Sequence, residues 1–178
     1  MKFLHYTLLS LLFIIAISSN AAIANKPKNY ILGPGDTIEI KVFGQPDLDV
    51  RALLGNSGEV NYPFLGKVVL AGMTIAEVER ILTSGLAPNY LVNPDVYAQV
   101  IEYRPFYIHG EVKKPGGYSY HPGMTVNQAV ALAGGLTERA SIEKIYVYKE
   151  KNKQQQIKGN LNSQIAAGDT IKIEQRLF

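Results

Sequence analysis

Apolar and polar residues alternate along most of this chain, and twice the rhythm slows from two to the helical 3.6. Residues 37–43 set Ile38, Ile40 and Val42 on one face of an extended segment, and 96–103, "VYAQVIEY", behave the same way. Residues 59–62 and 67–70 form two more short strands around a turn region from Pro63 to Gly66. Segments 106–111, 117–120, 144–149 and 170–174 complete the predicted strands. The polar run "EKNKQQQ" (150–156) has no period and is expected to be an exposed hairpin tip, and "GQPDLDVR" (44–51) a solvated loop.

The slower period occurs in two stretches that resemble each other, "GMTIAEVERILTSGL" (72–86) and "GMTVNQAVALAGGL" (123–136). Thr74 is followed three residues later by Glu77, and Thr125 by Gln128, the spacing of a capping box. Met73 with Val78, and Met124 with Ala129, occupy the staple positions. Ile75, Val78 and Leu82 share one helical face, as do Val126, Ala129, Val130 and Ala133, and Gly85 and Gly134–Gly135 are the expected stops. Two short amphipathic helices among many strands indicate an α+β fold, with each helix on its own small sheet.

Arg104-Pro105 interrupts the strand pattern, because proline lacks a donor and biases the residue before it toward extended backbone. The boundary expected there divides residues 25–103 from residues 104–178. Modules so small have thin cores, and without disulfides or metals the usual remedy is association.

A second repetition spans both modules: "LGPGDTIEI" near the start and "IAAGDTIKI" near the end. Gly33, Pro34, Gly35 and Asp36 suit a type II turn, with proline presetting the first central residue and glycine supplying positive φ at the second. Gly168 and Asp169 repeat Gly35 and Asp36. Both aspartates are expected to bond nearby backbone amides. Turn chemistry accounts for every residue in the phrase, whereas a catalytic pair accounts only for the aspartates.

Composition narrows the functions available. The net charge of +3 is too weak to imply nucleic acid as a partner. Lys2, the apolar run at 8–17 and the sequence Ala22-Ile23-Ala24 read as a secretory signal, residues 1–24, cleaved after Ala24, the alternative being an uncleaved membrane anchor, for which the run is short. The chain has no cysteine, so no disulfide and no lipid-bearing cysteine is expected in an exported protein, and its three histidines leave zinc clusters improbable. There is no nucleophile elbow, Walker loop or metalloprotease helix motif. Asp47 and Asp49 read as loop carboxylates, His109 and His121 as structural histidines, and no catalytic, cofactor or metal residue is assigned. "KKPGGY" (113–118) is expected to place Pro115-Gly116 at the centre of a hairpin turn rather than around a phosphate. The chain carries eleven tyrosines and no tryptophan. Tyr118 with Tyr120, and Tyr146 with Tyr148, are read as pairs on shared strand faces and as candidate glycan or interface contacts.

Taken in order, "YILGPGDTIEIKVFGQPDLD", "GEVNYPFLGKVVLAGMTIAEVERIL" and "NPDVYAQV" resemble the polysaccharide biosynthesis/export domain. "YIHGEVKKPGGYSYHPGMTVNQAVALAGGLTERA" with the closing "AAGDTIKI" is similar to one soluble-ligand-binding β-grasp (SLBB) domain. The resemblance implies a small mixed-sheet export domain followed by a β-grasp domain. It also implies a periplasmic, ring-forming component of a capsule or exopolysaccharide export machine. The implied partners are further copies of the chain, an inner-membrane polysaccharide co-polymerase coupled to a tyrosine kinase, the polysaccharide itself and a separate outer-membrane β-barrel. Long family members begin with a lipidated cysteine, repeat the β-grasp domain and end in a membrane-crossing helix. Against that pattern this chain is expected to be an unlipidated periplasmic adaptor. The competing reading is a monomeric module whose β-grasp half binds a glycan or small ligand.

Overall fold

A computed structural model describes residues 30–176. The expected signal segment, 1–24, lies outside the described residues. The fold is α+β, with two sheet-and-helix units in succession.

In the first, β1 (Thr37–Val42), β2 (Val50–Leu53) and β5 (Val96–Glu102) form an antiparallel sheet in the order β2-β1-β5. A separate hairpin pairs β3 (Glu59–Tyr62) with β4 (Gly66–Val69). Helix α1 (Ile75–Leu86) packs Val78, Leu82 and Leu86 against Ile38, Ile40, Val42 and Tyr62. The inward positions are those of the alternation, since period two sends every second side chain of β1 to one face. The Tyr62 hydroxyl donates to the Leu48 carbonyl, and burial pushes its pKa up to about 12.

The second unit is a five-stranded mixed sheet in the order β7-β6-β10-β8-β9. Its strands are β6 (Phe106–Gly110), β7 (Gly116–Tyr118), β8 (Ala140–Lys149), β9 (Asn152–Gly159) and β10 (Thr170–Gln175). The first and last, β6 and β10, lie parallel at its centre, and every other pairing is antiparallel. Helix α2 (Val126–Leu132) covers one face, with Val126, Ala129 and Val130 against Phe106, Ile108, Ile145, Val147, Ile171 and Ile173. Burying Phe106 completely contributes about 2–3 kcal/mol. Among the described residues no helix covers the opposite face of the sheet.

Four expectations are corrected. Residues 150–156 are not all a hairpin tip: β9 begins at Asn152 and pairs along β8 to Gly159. Its side chains show no period because this edge strand is held by backbone pairing while its side chains stay wet. The stretch 44–51 is not all loop, for a short 3₁₀ turn (Pro46–Leu48) leads into β2 at Val50. Gly85 does not stop α1. It lies inside the helix because Leu65 packs there, and a Cβ would sit 2.9 Å from Leu65 Cδ1. The helix ends instead at Ala87, which precedes a proline and is pushed out of helical backbone. Gly116 is the first residue of β7, paired with Ile108, so Pro115-Gly116 is not the centre of a tight turn. The connection is longer because Lys113 and Lys114 donate their amides to the Gly135 and Ala133 carbonyls and draw the loop toward the end of α2.

Candidate functional site at the joint between the units

Both copies of the repeated phrase fold into the same turn. In the first, the Asp36 amide donates to the Gly33 carbonyl at 3.2 Å, and Asp36 Oδ2 accepts the Gly33 amide at 2.8 Å. In the second, the Asp169 amide donates to the Ala166 carbonyl at 3.2 Å, and Asp169 Oδ2 accepts the Ala166 amide at 2.8 Å. Gly35 and Gly168 have φ of 94° and 79°, where a side chain is strained. Pro34 is exposed in the first turn, and Gly33 is buried under Arg104.

The two turns meet at the linker between the units. The Arg104 amide donates to Asp36 Oδ1 at 2.8 Å, and the Pro105 carbonyl accepts the Gly168 amide at 3.1 Å. One turn therefore holds the linker's donor and the other its acceptor. The Arg104 side chain lies between them. Its Nη1 donates to Asp36 Oδ2 at 2.7 Å and to the Tyr30 hydroxyl at 2.7 Å, and its Nη2 donates to Glu150 Oε2 at 2.8 Å. A Cβ on Gly33 would stand 2.8 Å from Arg104 Nη1, and one on Gly168 would stand 2.5 Å from Glu150 Cδ. Absence of those side chains is what lets the pair fit.

Electrostatics at the joint follow from this packing. Asp36 is fully buried, and Arg104 is 12 % exposed. Burial pulls the Arg104 guanidinium down, but the hydrogen bond to Glu150 and the charge of Asp36 outweigh it, and the net direction is up. The Tyr30 phenol is held far above its usual range, first by burial and then by the hydrogen bond it donates to Asp36 Oδ1 at 2.7 Å. Tyr103 packs edge to face on both Tyr30 and Tyr120, with centroids 4.8 Å and 5.8 Å away, and Tyr30 and Tyr120 lie stacked at 6.5 Å. Tyr30 touches both hydrophobic cores. The chemistry this arrangement performs is mechanical: ionic and aromatic contacts hold two units in one orientation.

The remaining candidates are scattered. Thr74 Oγ1 accepts the Glu77 amide while the Glu77 carboxylate accepts the Thr74 amide, and Thr125 with Gln128 repeats the arrangement. Tyr118 sits on β7 and donates to the Lys114 carbonyl, whereas Tyr120 lies beyond that strand and is buried in the joint. These two therefore do not share a strand face, and Tyr120 is closed to a glycan because it packs on Tyr103. Tyr146 and Tyr148 stand on the open face of the five-stranded sheet, opposite inward Ile145 and Val147. Asp49 accepts the Val42 amide, and His109 and His121 are exposed. Among the described residues no cluster of three or more His, Asp or Glu could hold a metal ion, and no helix is long and apolar enough to cross a membrane.

Sequence reasoning missed Arg104, Glu150 and Tyr30. Arg104 is separated by 68 residues from Asp36 and by 46 from Glu150, so no local pattern joins them.

The polysaccharide biosynthesis/export protein family matches residues 24–101, and the SLBB domain matches residues 105–158. Polysialic acid transport protein KpsD of Escherichia coli is 30% identical over 173 residues, covering 89% of this chain and 30% of that protein. Exopolysaccharide production protein ExoF of Rhizobium meliloti is 32% identical over 143 residues, 74% of this chain and 34% of its own length. The EPS I polysaccharide export outer membrane protein EpsA of Ralstonia nicotianae is 28% identical over 154 residues, 80% of this chain and 40% of its own. The chain thus spans 30% to 40% of the length of these relatives.

Proposed function

Because the chain belongs to the polysaccharide biosynthesis/export protein family, whose role is transport rather than catalysis, we propose that it is a ring-forming component of a capsular or exopolysaccharide export machine. Residues 1–24 direct it to the periplasm and are removed. Residues 25–103 form the export module and 104–178 the SLBB β-grasp module. Copies close into a ring around the polymer, receive it from an inner-membrane co-polymerase and its tyrosine kinase, and pass it to a separate outer-membrane β-barrel. No bond-making step is assigned to the chain.

The observation that supports this reading is a locked joint between units that both leave apolar side chains in water. Phe43 is 86 % exposed and Val92 97 % exposed on the first unit, and Leu132 and Ile142 are exposed on the second. Phe43 also borders a shallow groove of about 380 Å³ lined by Lys41, Pro46, Asp95 and Tyr97. A head-to-tail contact that closes by rotation covers such surface with a different face of the next copy. Rigid units are required, because a loose joint would let the ring angle vary from copy to copy. Light scattering on the purified chain, alone and with its membrane partners, should give one closed multimer. Deleting the gene should abolish polymer export. A chain that stays monomeric with its partners present, or export that survives the deletion, refutes the proposal.

A further inference from the structure

The two units carry opposite charge. Residues 30–103 hold four basic and nine acidic side chains, a net of −5, whereas residues 104–176 hold eleven basic and six acidic, a net of +5. The acidic charges are largely engaged at home. Asp36, Asp49, Glu77 and Glu79 each accept a backbone amide, and Glu39 and Glu102 pair with Lys41 and Arg51. The basic unit differs. Arg104, Lys149 and Lys172 meet carboxylates, but Lys144, Lys153 and Lys158 make no ion pair among the described residues. The second unit is thus left with a cationic surplus, part of it on lysines that meet no carboxylate among the described residues.

Part of that surplus lies on the open face of the five-stranded sheet, and it lies among tyrosines. Strand register builds two rows across this face. One runs His109, Lys172, Tyr146, Lys158 over four strands. The next runs Gly117, Tyr107, Thr170, Tyr148, Gln156 over all five. Facing residues on neighbouring strands stand side by side. Tyr107 and Tyr148 are two strands apart, about 10 Å at the usual strand spacing. Tyr107 is 49 % exposed, and its ring lies over Gly117, where a Cβ would come within 3.1 Å of Tyr107 Cε1. An ordinary solvated sheet face needs neither aromatic rings nor a glycine that makes room for one.

We propose that this face binds an anionic polysaccharide, a sugar chain bearing carboxylates. The tyrosine rings stack on the apolar faces of successive sugars, and Gln156 with the phenol hydroxyls meets the sugar hydroxyls. Lys158 and Lys144, which stands two residues before Tyr146 on the same side of β8, take the carboxylates. Glu174, beside Lys172 on β10, is already paired with it at 2.8 Å. The inference rests on the export reading for its choice of a glycan, and it adds the class of polymer.

Calorimetric titration of the purified chain tests it with three probes: oligogalacturonate, neutral dextran and polyglutamate. Oligogalacturonate is expected to bind at least tenfold tighter than either of the others. Lys144→Gln with Lys158→Gln, and separately Tyr107→Ala, should each weaken it at least fivefold, with circular dichroism showing the fold intact. Gly117→Ala is a gentler variant that tilts the Tyr107 ring and should weaken binding in the same direction. Variants that bind like the parent, or polyglutamate bound as tightly as the uronate and indifferent to Tyr107, would overturn the proposal. So would lysine variants that change the size of the assembly, since the face would then be a contact between copies. Failure of the export reading registers elsewhere, as polymer export that survives gene deletion.

Discussion

The turn ending at Asp36 and the turn ending at Asp169 are indistinguishable inside and unlike outside. Each closes with the same two bonds at the same lengths. Beyond the turn, Asp36 is fully buried and accepts from the Arg104 amide, the Arg104 guanidinium and the Tyr30 hydroxyl. Asp169 meets Lys149 Nζ at 2.6 Å, a group of its own unit that is 41 % exposed. The first turn is thus a socket for the neighbouring unit, and the second is chiefly a strand start. A repeated phrase specifies a local bend, and what reaches the bend from elsewhere decides its use.

Removing each cation breaks the comparison most directly. Arg104→Ala leaves Asp36 charged, buried and without its partner, a loss expected to cost about 3–5 kcal/mol. Lys149→Ala also leaves a buried carboxylate, Asp169 being 2 % exposed. Asp169 keeps its turn bond, however, and the lysine it loses is 41 % exposed, so screening reduces the expected loss to about 1–2 kcal/mol. Denaturant midpoints of the two variants measure the difference. Arg104→Ala should also separate the units, so a second transition or increased proteolysis at 103–106 is expected for it alone. Equal losses would mean that the joint adds nothing to the turn.

Neutralising the aspartates comes next. Turn chemistry alone makes Asp36→Asn mild, since an amide oxygen can still accept the Gly33 amide. Arg104 changes that expectation, because a largely buried guanidinium would lose one of its two carboxylates and keep only Glu150. Asp36→Asn should cost about 2–3 kcal/mol and Asp169→Asn about 1 kcal/mol or less. If the Asp36 variant unfolds at the same denaturant concentration as the parent, the ionic part of the joint is negligible.

These differences mark what could be read from the sequence. Capping and turn patterns complete themselves within four residues, so Thr74 with Glu77 and Gly33 with Asp36 carry their meaning locally. Inward alternation marks β1, β6 and β10 because burial on one face leaves a period. The edge strand β9 leaves none, as its side chains are wet on both faces. Arg104 is visible in sequence only as the residue before Pro105, and its three side-chain partners lie 46 to 74 residues away. The linker looked like a gap between units because the contacts that fill it are all distant in the chain. The open sheet face was partly legible: the alternation in "FYIHG" separates Tyr107 and His109 from Phe106 and Ile108, but its use required the register of β6 beside β10.

Steric substitution asks whether both turns need the pair of side chains lying between them. Gly168→Ala directs a methyl at the Glu150 carboxylate and should displace it from Arg104, in addition to the strain of positive φ. Gly35→Ala meets the less yielding Arg104 Cβ at 3.1 Å with a wider gap. Both variants should lose about 1–2 kcal/mol. Only the Gly168 variant is expected to lose part of its penalty when Glu150→Ala is added. A double-mutant cycle over these positions measures that coupling, and additive losses would place Glu150 outside the joint.

The smallest effect distinguishes the turns by pH. Tyr30 joins the Asp36 turn, and burial and the Asp36 carboxylate hold its phenol protonated far above the ordinary value. An acid whose folded pKa is raised lends stability that is complete below its unfolded value, about pH 10. As pH climbs past that point the unfolded chain releases the proton and the folded chain keeps it, so stability falls with each further step. Tyr30→Phe removes a hydroxyl that both donates to Asp36 and accepts from Arg104, and should cost about 1–1.5 kcal/mol at neutral pH. Above pH 10 its stability should decline less steeply than the parent's, and the two curves should converge. Tyr62 supplies the control, since its phenol is raised to about 12 by burial far from the joint and Tyr62→Phe leaves Arg104 untouched. Denaturation curves taken between pH 8 and the alkaline limit of folding settle the matter. If Tyr30→Phe and the parent decline in parallel, the phenol is not bonded to the socket and Asp36 serves Arg104 alone.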